Sequence, residues 1–255
     1  GGKTILWITT TVLEDWMIPF ARSQDFVVTN VEGQVAYFRE KGVKNITWIH
    51  QGFDSEFFGI EPGKGVEDGK IYADVAMIGS MGYPLYRKRC ELVVLLRREG
   101  IDIKWWGPRL AREIRHIPYF WGGVHRAWAG QEVYMKDFAD VIRHIRIFIG
   151  QDVDNPLDGR SLSNRVFAVL GCGGFYLCRR TKGVESQFEV GKELAVFDDE
   201  GDLLGKIRYY LKHEEERKQM ALAGQKKVLS HYTYKKQMEK IFTWVETHAR
   251  SHAST

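Results

Sequence analysis

Cysteine is scarce. Three of 255 residues, Cys90, Cys172 and Cys178, are cysteines, and no pair has CxxC spacing. An odd count without a framework excludes a disulfide-stapled scaffold and leads us to expect a reducing, cytoplasmic compartment. No apolar run approaches the length of a membrane span. No signal peptide is visible, but the chain starts at "GGKT" without a methionine, so a preceding segment stays open. The strand-end glycines lack the GxGxxG order and no Gly-Lys-Ser/Thr follows them, so neither the dinucleotide fingerprint nor a phosphate-binding P-loop is present. No GxSxG occurs, which leaves a serine-hydrolase elbow unsupported. His116, His125 and His144 lack metal-ligand spacing. The net charge of +4 is too mild for a nucleic-acid coat, though it suits an anionic ligand.

What is present is alternation. "KTILWITT", "DFVVTN" and "NITWIHQGFD" read as buried strands, with "EGQVAYFREKG" helical between the second and third and closed by Gly42. "GIEPGKGVEDGK", Gly59 to Lys70, holds four glycines and a proline. It reads as a linker, with a surface loop inside one domain the competing reading. The alternation then restarts: strand "ADVAMIGS", helix "YRKRCELVVLLRREG", strand "IDIKWWG", helix "QEVYMKDFADVIRH", strand "IRIFIGQ". Another helix and strand follow within "GRSLSNRVFAVLGCGGFYLC", then a strand at "ELAVF" and two or three helices. Strands and helices at this spacing predict parallel sheets, the second of them doubly wound. Such sheets bind ligands at the carboxyl ends of their strands. That rule selects four loops: 79–89, 107–112, 128–132 and 152–165.

Two of these loops carry phosphate chemistry. Ser161 or Ser163 can cap the helix that follows, whose first-turn N–H groups and dipole make an anion seat. Arg165 adds a forked cation. Glycines 171, 173 and 174 are expected at the far end, serving packing. In "IGSMGYPLYRKR", Gly79, Ser80 and Gly82 follow a strand, and Arg87, Lys88 and Arg89 open a helix. Small residues and arginine at two strand ends of one sheet point to a diphosphate. An ordinary capped helix and a solvated basic helix start are the plain alternatives. The "DVD" at Asp152 to Asp154 is read as a loop without a bound metal. Trp105, Trp106, Trp121 and Trp128 could stack a base or sugar, but most are expected in the core or an interface, since tryptophan is largely buried on average.

"DVAMIGSMGYPLYRKR", "SLSNRVFAVLGCGGFYL" and "GKELAVFDDEGDLLGKIRYYLKHEEERKQMALAGQKKVLSHYTY" together resemble the GT-B glycosyltransferases, most closely the CgeB-like (spore maturation protein) group related to glycosyltransferase family 4. Ser-x-Arg-x-Phe, Gly-Gly-Phe and His-Thr-Tyr recur in order and spacing from about Asp74 to the end. "DFVVTNVEGQVAYFREKGVKNITWIHQGFDSEFF" resembles the end of that family's N-terminal domain.

The resemblance implies an α/β protein of GT-B type. A Rossmann-like doubly wound parallel sheet would form the C-terminal donor domain (71–230). It would follow a truncated N-terminal α/β unit on the acceptor side (1–58) and the linker (59–70), with a helix at 231–255 returning to the N-terminal unit. It implies a nucleotide-sugar donor and transfer of the sugar to an acceptor, with retention and without metal or other cofactor. By position, Gly79, Ser80, Arg87, Ser163 and Arg165 would meet the donor diphosphate, and Arg126, Trp128, Gly130 and Gln131 the base and ribose. No catalytic residue is identified. The chain departs from the family's Glu-x7-Glu pair, with Arg160 and Ala168 at the two positions; Glu185 or Glu189 are the candidates to compensate. That departure and the short N-terminal part keep a second reading open: a non-catalytic half that binds a nucleotide sugar or a partner. Nucleic-acid binding is the third, with no recognisable motif behind it and with lysines and arginines spread along the chain.

Overall fold

The computed structural model describes residues 2–10, 13–60, 71–152 and 159–253. The residues from 61 to 70 of the glycine-rich stretch, and Asp154 of "DVD", lie outside them. Two parallel sheets organise the chain. The first has strands β1 (Ile5–Ile8), β2 (Phe26–Thr29) and β3 (Ile46–Trp48) in that order, joined through helices α1 (Met17–Arg22) and α2 (Gln34–Glu40). The central strand β2 is buried at all four positions, as expected of a parallel strand covered on both faces. Side chains alternate across a strand. Val27 therefore joins Phe38 of α2 in one core, while the neighbouring Phe26 turns the other way.

The second sheet holds β4 (Ala73–Ile78), β5 (Ile103–Trp106), β6 (Ile145–Gly150), β7 (Tyr176–Arg179) and β8 (Ala195–Phe197), all parallel in the order β5-β4-β6-β7-β8. Period-two alternation splits its burial between two cores. Ala76, Phe148, Tyr176 and Val196 face one layer, which includes α6 (Met135–Arg143) and α7 (Asn164–Gly171). Val75, Met77, Ile147, Ile149 and Leu177 face the other, which includes α3 (Arg87–Arg98). The strand order reverses at β4, because β5 lies on one side of it and β6 on the other. That reversal opens a crevice beyond Ile78 and Gly150.

Between β5 and α6 the chain makes a 3-10 turn at Ile114–His116, then α4 (Ile117–Trp121) and α5 (Val124–Ala127); α8 (Lys182–Gln187) follows β7. These short helices, like α1, escape a reading by periodicity, since none spans two turns. Helices α9 (Glu200–Lys212) and α10 (Glu214–His231) complete the second layer set, and α11 (Tyr234–Ala253) crosses to the first sheet. There Trp244 meets Phe26 edge-on with ring centroids 5.5 Å apart. The crossing is pinned by backbone: Phe53 N–H donates to Tyr232 O at 2.7 Å and Tyr234 N–H to Phe53 O at 3.1 Å. Gly52 permits it, since a Cβ there would lie 2.4 Å from Tyr234 N. The three cysteines are free and buried.

Candidate functional site

The crevice is built around one glycine. Gly79 follows β4 with φ +132°, and a Cβ there would come within 2.8 Å of Arg165 Nη2 and 3.2 Å of Arg89 Nη1. Its lack of a side chain lets two guanidinium groups approach the strand end. Arg89, in the first turn of α3, is buried at 6% exposure. Its Nε donates to Gln151 O at 2.7 Å and its Nη1 to Ser80 O at 3.0 Å. Its guanidinium lies 4.4 Å from the Tyr86 ring centre. Burial first, then the neighbouring Arg165, pushes its pKa down to about 10, which leaves it charged at neutral pH.

Arg165 Nη1 donates to Asp152 Oδ1 at 2.6 Å, and Arg89 Nη2 lies 3.7 Å from the same oxygen. Two cations thus share one carboxylate among the described residues, and one positive charge is left over. The cap adds to it. Ser163 is the N-cap of α7, its hydroxyl accepting from Arg165 N–H at 3.3 Å, so the helix's positive end opens beside the two arginines. Ser161 does something else: its Oγ accepts from Glu32 N–H at 2.6 Å.

A cavity of about 450 Å³ opens here. Gly79, Asn164, Arg165 and Ala168 form one wall, and Phe53, Asp54, Phe57 and Phe58 form the facing one. Gly52, Ile78, Val133, Tyr134, Phe138 and Tyr234 complete it. The result is a mostly apolar, aromatic chamber with a cation at one end, a common form for a small-molecule site. A second hollow of about 210 Å³ adjoins the other side of the Arg89–Asp152 pair, lined by residues 84–89 with Gln151.

The structure brings together Gly79, Ser80, Ser163 and Arg165 of the expected residues. Arg87 is elsewhere: it is exposed, pairs with Glu91 at 3.1 Å and lines only the second hollow. Arg89, two residues on, occupies the inward position. The signal for it was in the sequence: residues 89, 90, 92, 93 and 96 are the buried stripe of α3, and an arginine on an apolar stripe needs partners. Trp128 is fixed beside β5, its Nε1–H donating to Gly107 O at 2.9 Å and its indole 5.6 Å beneath Arg109. Gln131 O accepts from Gly107 N–H at 3.0 Å. Arg126, Gly130 and Gln131 are exposed, and none of this group lines either hollow. Aromatic rings line the chamber instead, from three places in the chain: Phe53, Phe57 and Phe58, then Tyr134 and Phe138, and Tyr234. Glu185 and Glu189 are engaged at the surface, by Arg180 at 2.6 Å and Lys192 at 2.8 Å.

Arg160 reaches the first sheet. Its Nε and Nη2 donate to Glu32 Oε1 at 3.0 and 2.6 Å, and its backbone N–H to Glu32 Oε2 at 2.7 Å. These bonds hold the Glu32 carboxyl below its usual range. Beside them His50 is buried, packed against Trp48 and Phe167, with neither ring nitrogen hydrogen-bonded among the described residues. Desolvation pushes its pKa down to about 4. At the far end of α7, Gly171 and Gly174 serve contact: Cβ atoms there would lie 2.6 Å from the Phe53 ring and 2.5 Å from Ile142 Cγ2. Of the four tryptophans, Trp105 and Trp106 are core, but Trp121 is 87% exposed, because the inner face of α4 is already filled by Tyr119 and Phe120. Among the described residues no group of three His, Cys, Asp or Glu side chains converges as a metal site, and no helix is long and apolar enough to cross a membrane.

The pattern of a glycosyl transferase-like family matches residues 87–243. No curated protein matches the chain in sequence. Among solved structures, sucrose-phosphate synthase from Thermosynechococcus elongatus superposes with TM-score 0.64 at 11% identity, over 94% of this chain and 61% of that one. A glycosyltransferase from Rickettsia africae superposes with TM-score 0.62 at 12% identity, over 94% and 70%. Anabaena HepE, solved in complex with UDP-glucose, gives TM-score 0.62 at 12% identity, over 93% and 66%. The chain therefore spans about three fifths of the synthase's length. The fold shared with these structures is the GT-B type of two parallel-sheet units.

Proposed function

The chain belongs to the glycosyl transferase-like family, and from that premise we propose that it binds a nucleotide-sugar donor and transfers the sugar to an acceptor. The observation that carries this reading is the Arg165 guanidinium at the N-terminus of α7, set against Gly79 and opening on the aromatic chamber, with Arg89 close to the same glycine. In donor cleavage the bond from the anomeric carbon to the diphosphate oxygen breaks, and negative charge accumulates on the leaving diphosphate. Preorganised donors aimed at that charge lower the barrier. Arg165, held by Asp152, and the cap end of α7 would supply them here. The chamber would hold the nucleoside, with its rings against base or ribose, a place we prefer to the Arg126–Gln131 segment. Leaving-group stabilisation by fixed cations needs no metal, and we read the reaction as metal-independent and retaining. Within the family we assign the chain to the CgeB-like group related to family 4, acting in the cytoplasm.

One observation favours a second reading. Ala168, which by the resemblance stands at the second position of the Glu-x7-Glu pair, lines the chamber without a carboxylate, and Arg160, at the first, is tied to Glu32. A half that binds nucleotide sugar without turning it over accounts for both. The test is a thermal-shift screen against UDP-, GDP-, TDP- and ADP-sugars, followed by donor hydrolysis and transfer assays. A ligand at a hundred times its Kd adds about 2.7 kcal/mol of stability. Stabilisation with turnover supports the transferase, and stabilisation without turnover supports the binding half. No stabilisation by any of the four, with salt-dependent binding to oligonucleotides instead, overturns both.

A further inference from the structure

A face of the second unit, apart from the chamber, carries an apolar ridge on which none of the described residues packs. Ile114 and Trp121 are each 87% exposed and Ile117 is 39% exposed. Their spacing, three and then four residues, puts all three on one side of the turn-and-helix segment 114–121. The opposite side is locked to the body. Tyr119 is buried, and His116 is held at both ring nitrogens: Nε2 accepts from Tyr83 N–H at 3.0 Å, and Nδ1 donates to Ala111 O at 2.8 Å. The ridge therefore points outward by construction. The His116 bond also brings the 83–85 loop alongside, with Tyr83 38% and Leu85 54% exposed. Two separate segments thus build one apolar surface.

The charge around it is one-sided. Residues 108–126 hold Arg109, Arg112, Arg115 and Arg126 against the single acid Glu113, a net of three positive charges out of the whole chain's four. All four arginines are exposed. Exposed tryptophan and isoleucine flanked along the chain by exposed arginines match the two layers of a bilayer surface: acyl chain and glycerol region for the apolar side chains, anionic headgroups for the guanidiniums.

We propose that this ridge docks the protein on an anionic lipid surface, Trp121, Ile114 and Ile117 entering the interface and the arginines lying among the headgroups. Docking there presents the 79–89 loop, and with it the Gly79 crevice, close to the membrane plane. The inference rests on exposure and charge, and it stands whether or not the chamber binds a nucleotide sugar.

Vesicle flotation tests it, with the full chain and two compositions: phosphatidylcholine alone, and an equal mixture of phosphatidylcholine and phosphatidylglycerol. The wild type is expected to float with the mixed vesicles, weakly or not at all with phosphatidylcholine, and to be released by salt. Arg112→Ala with Arg115→Ala should weaken binding about fivefold per arginine. Ile114→Ser, Ile117→Ser and Trp121→Ser together should abolish it, with the thermal melt unchanged because these side chains are exposed. Tryptophan quenching by brominated lipid should fall in Trp121→Phe relative to wild type. The proposal is overturned if the wild type ignores the mixed vesicles, or if the triple variant floats as well as the wild type. It is equally overturned if the ridge substitutions dissolve a dimer seen by sedimentation and leave flotation unaltered, since a second copy of the chain would then be the occupant.

Discussion

Replacing Arg165 by alanine separates a ligand-binding arginine from a structural one. Its Nη1 lies 2.6 Å from Asp152 Oδ1, with the side chains 20% and 39% exposed. A part-exposed ion pair of this kind contributes about 1 kcal/mol. Two effects offset its loss. Asp152 keeps a second cation, Arg89 Nη2, at 3.7 Å. The like charge that helps depress Arg89 also disappears. The expected cost to the fold is therefore about 1 kcal/mol or less, a fall of roughly 2–4 °C in Tm for a protein of this size. The cost to binding should be larger. A hydrogen bond to a charged group contributes about 1.5–3 kcal/mol, so the Kd for a nucleoside diphosphate should rise roughly tenfold to 150-fold. Arg165→Lys keeps the charge but not the fork, and should fall between. Titration calorimetry with the diphosphate selected by the thermal-shift screen gives the Kd, and differential scanning calorimetry gives the fold stability. An unchanged Kd alongside a Tm loss well beyond this range would make Arg165 a structural residue and refute the phosphate seat.

Three further outcomes follow from the same geometry. His50 is neutral when folded, with its pKa lowered from 6.5 to about 4. Its contribution is therefore complete above pH 6.5 and is lost as pH falls from there towards 4, by about 3 kcal/mol in all; urea unfolding across that window should show the loss, and His50→Phe should flatten it. Gly171→Ala would place a Cβ 2.6 Å from Phe53 Cδ2, in a ring that is fully buried, and should cost about 1–3 kcal/mol by denaturant midpoint. Donor binding should be insensitive to a chelator, since the arginines supply the positive charge; binding that vanishes with EDTA and returns with Mg²⁺ or Mn²⁺ would contradict the metal-free reading.

The strands of both sheets, the glycine turn after β4 and the cap at Ser163 were all legible in the chain itself. Each is a local matter. A four-residue apolar run such as Phe26–Thr29 reads as a doubly covered strand, and a serine before an apolar helix reads as its cap, because the cause lies within a few residues of the effect. Other features depended on the tertiary structure. Arg87 and Arg89 look alike in "YRKR"; the apolar stripe of α3 marks 89 as inward, but only the tertiary structure shows which groups meet it there, Gln151 O, Ser80 O and Asp152. Ser161 read as a possible cap of α7 and Arg160 as a departure from the family's carboxylate pair, yet both meet Glu32, 128 residues from Arg160. The chamber joins the 52–58 and 133–138 segments to Gly79 and α7, and the 52–58 segment is held there by the Phe53 backbone bonds to Tyr232 and Tyr234. Trp121 belongs to the same class, since its exposure was decided by Tyr119 and Phe120 filling the inner face first. Periodicity tells a side chain which face of its own element it occupies. Which neighbour that face meets is set by sheet order and helix rotation, and those are fixed by the sum of long-range contacts rather than by any local run of residues.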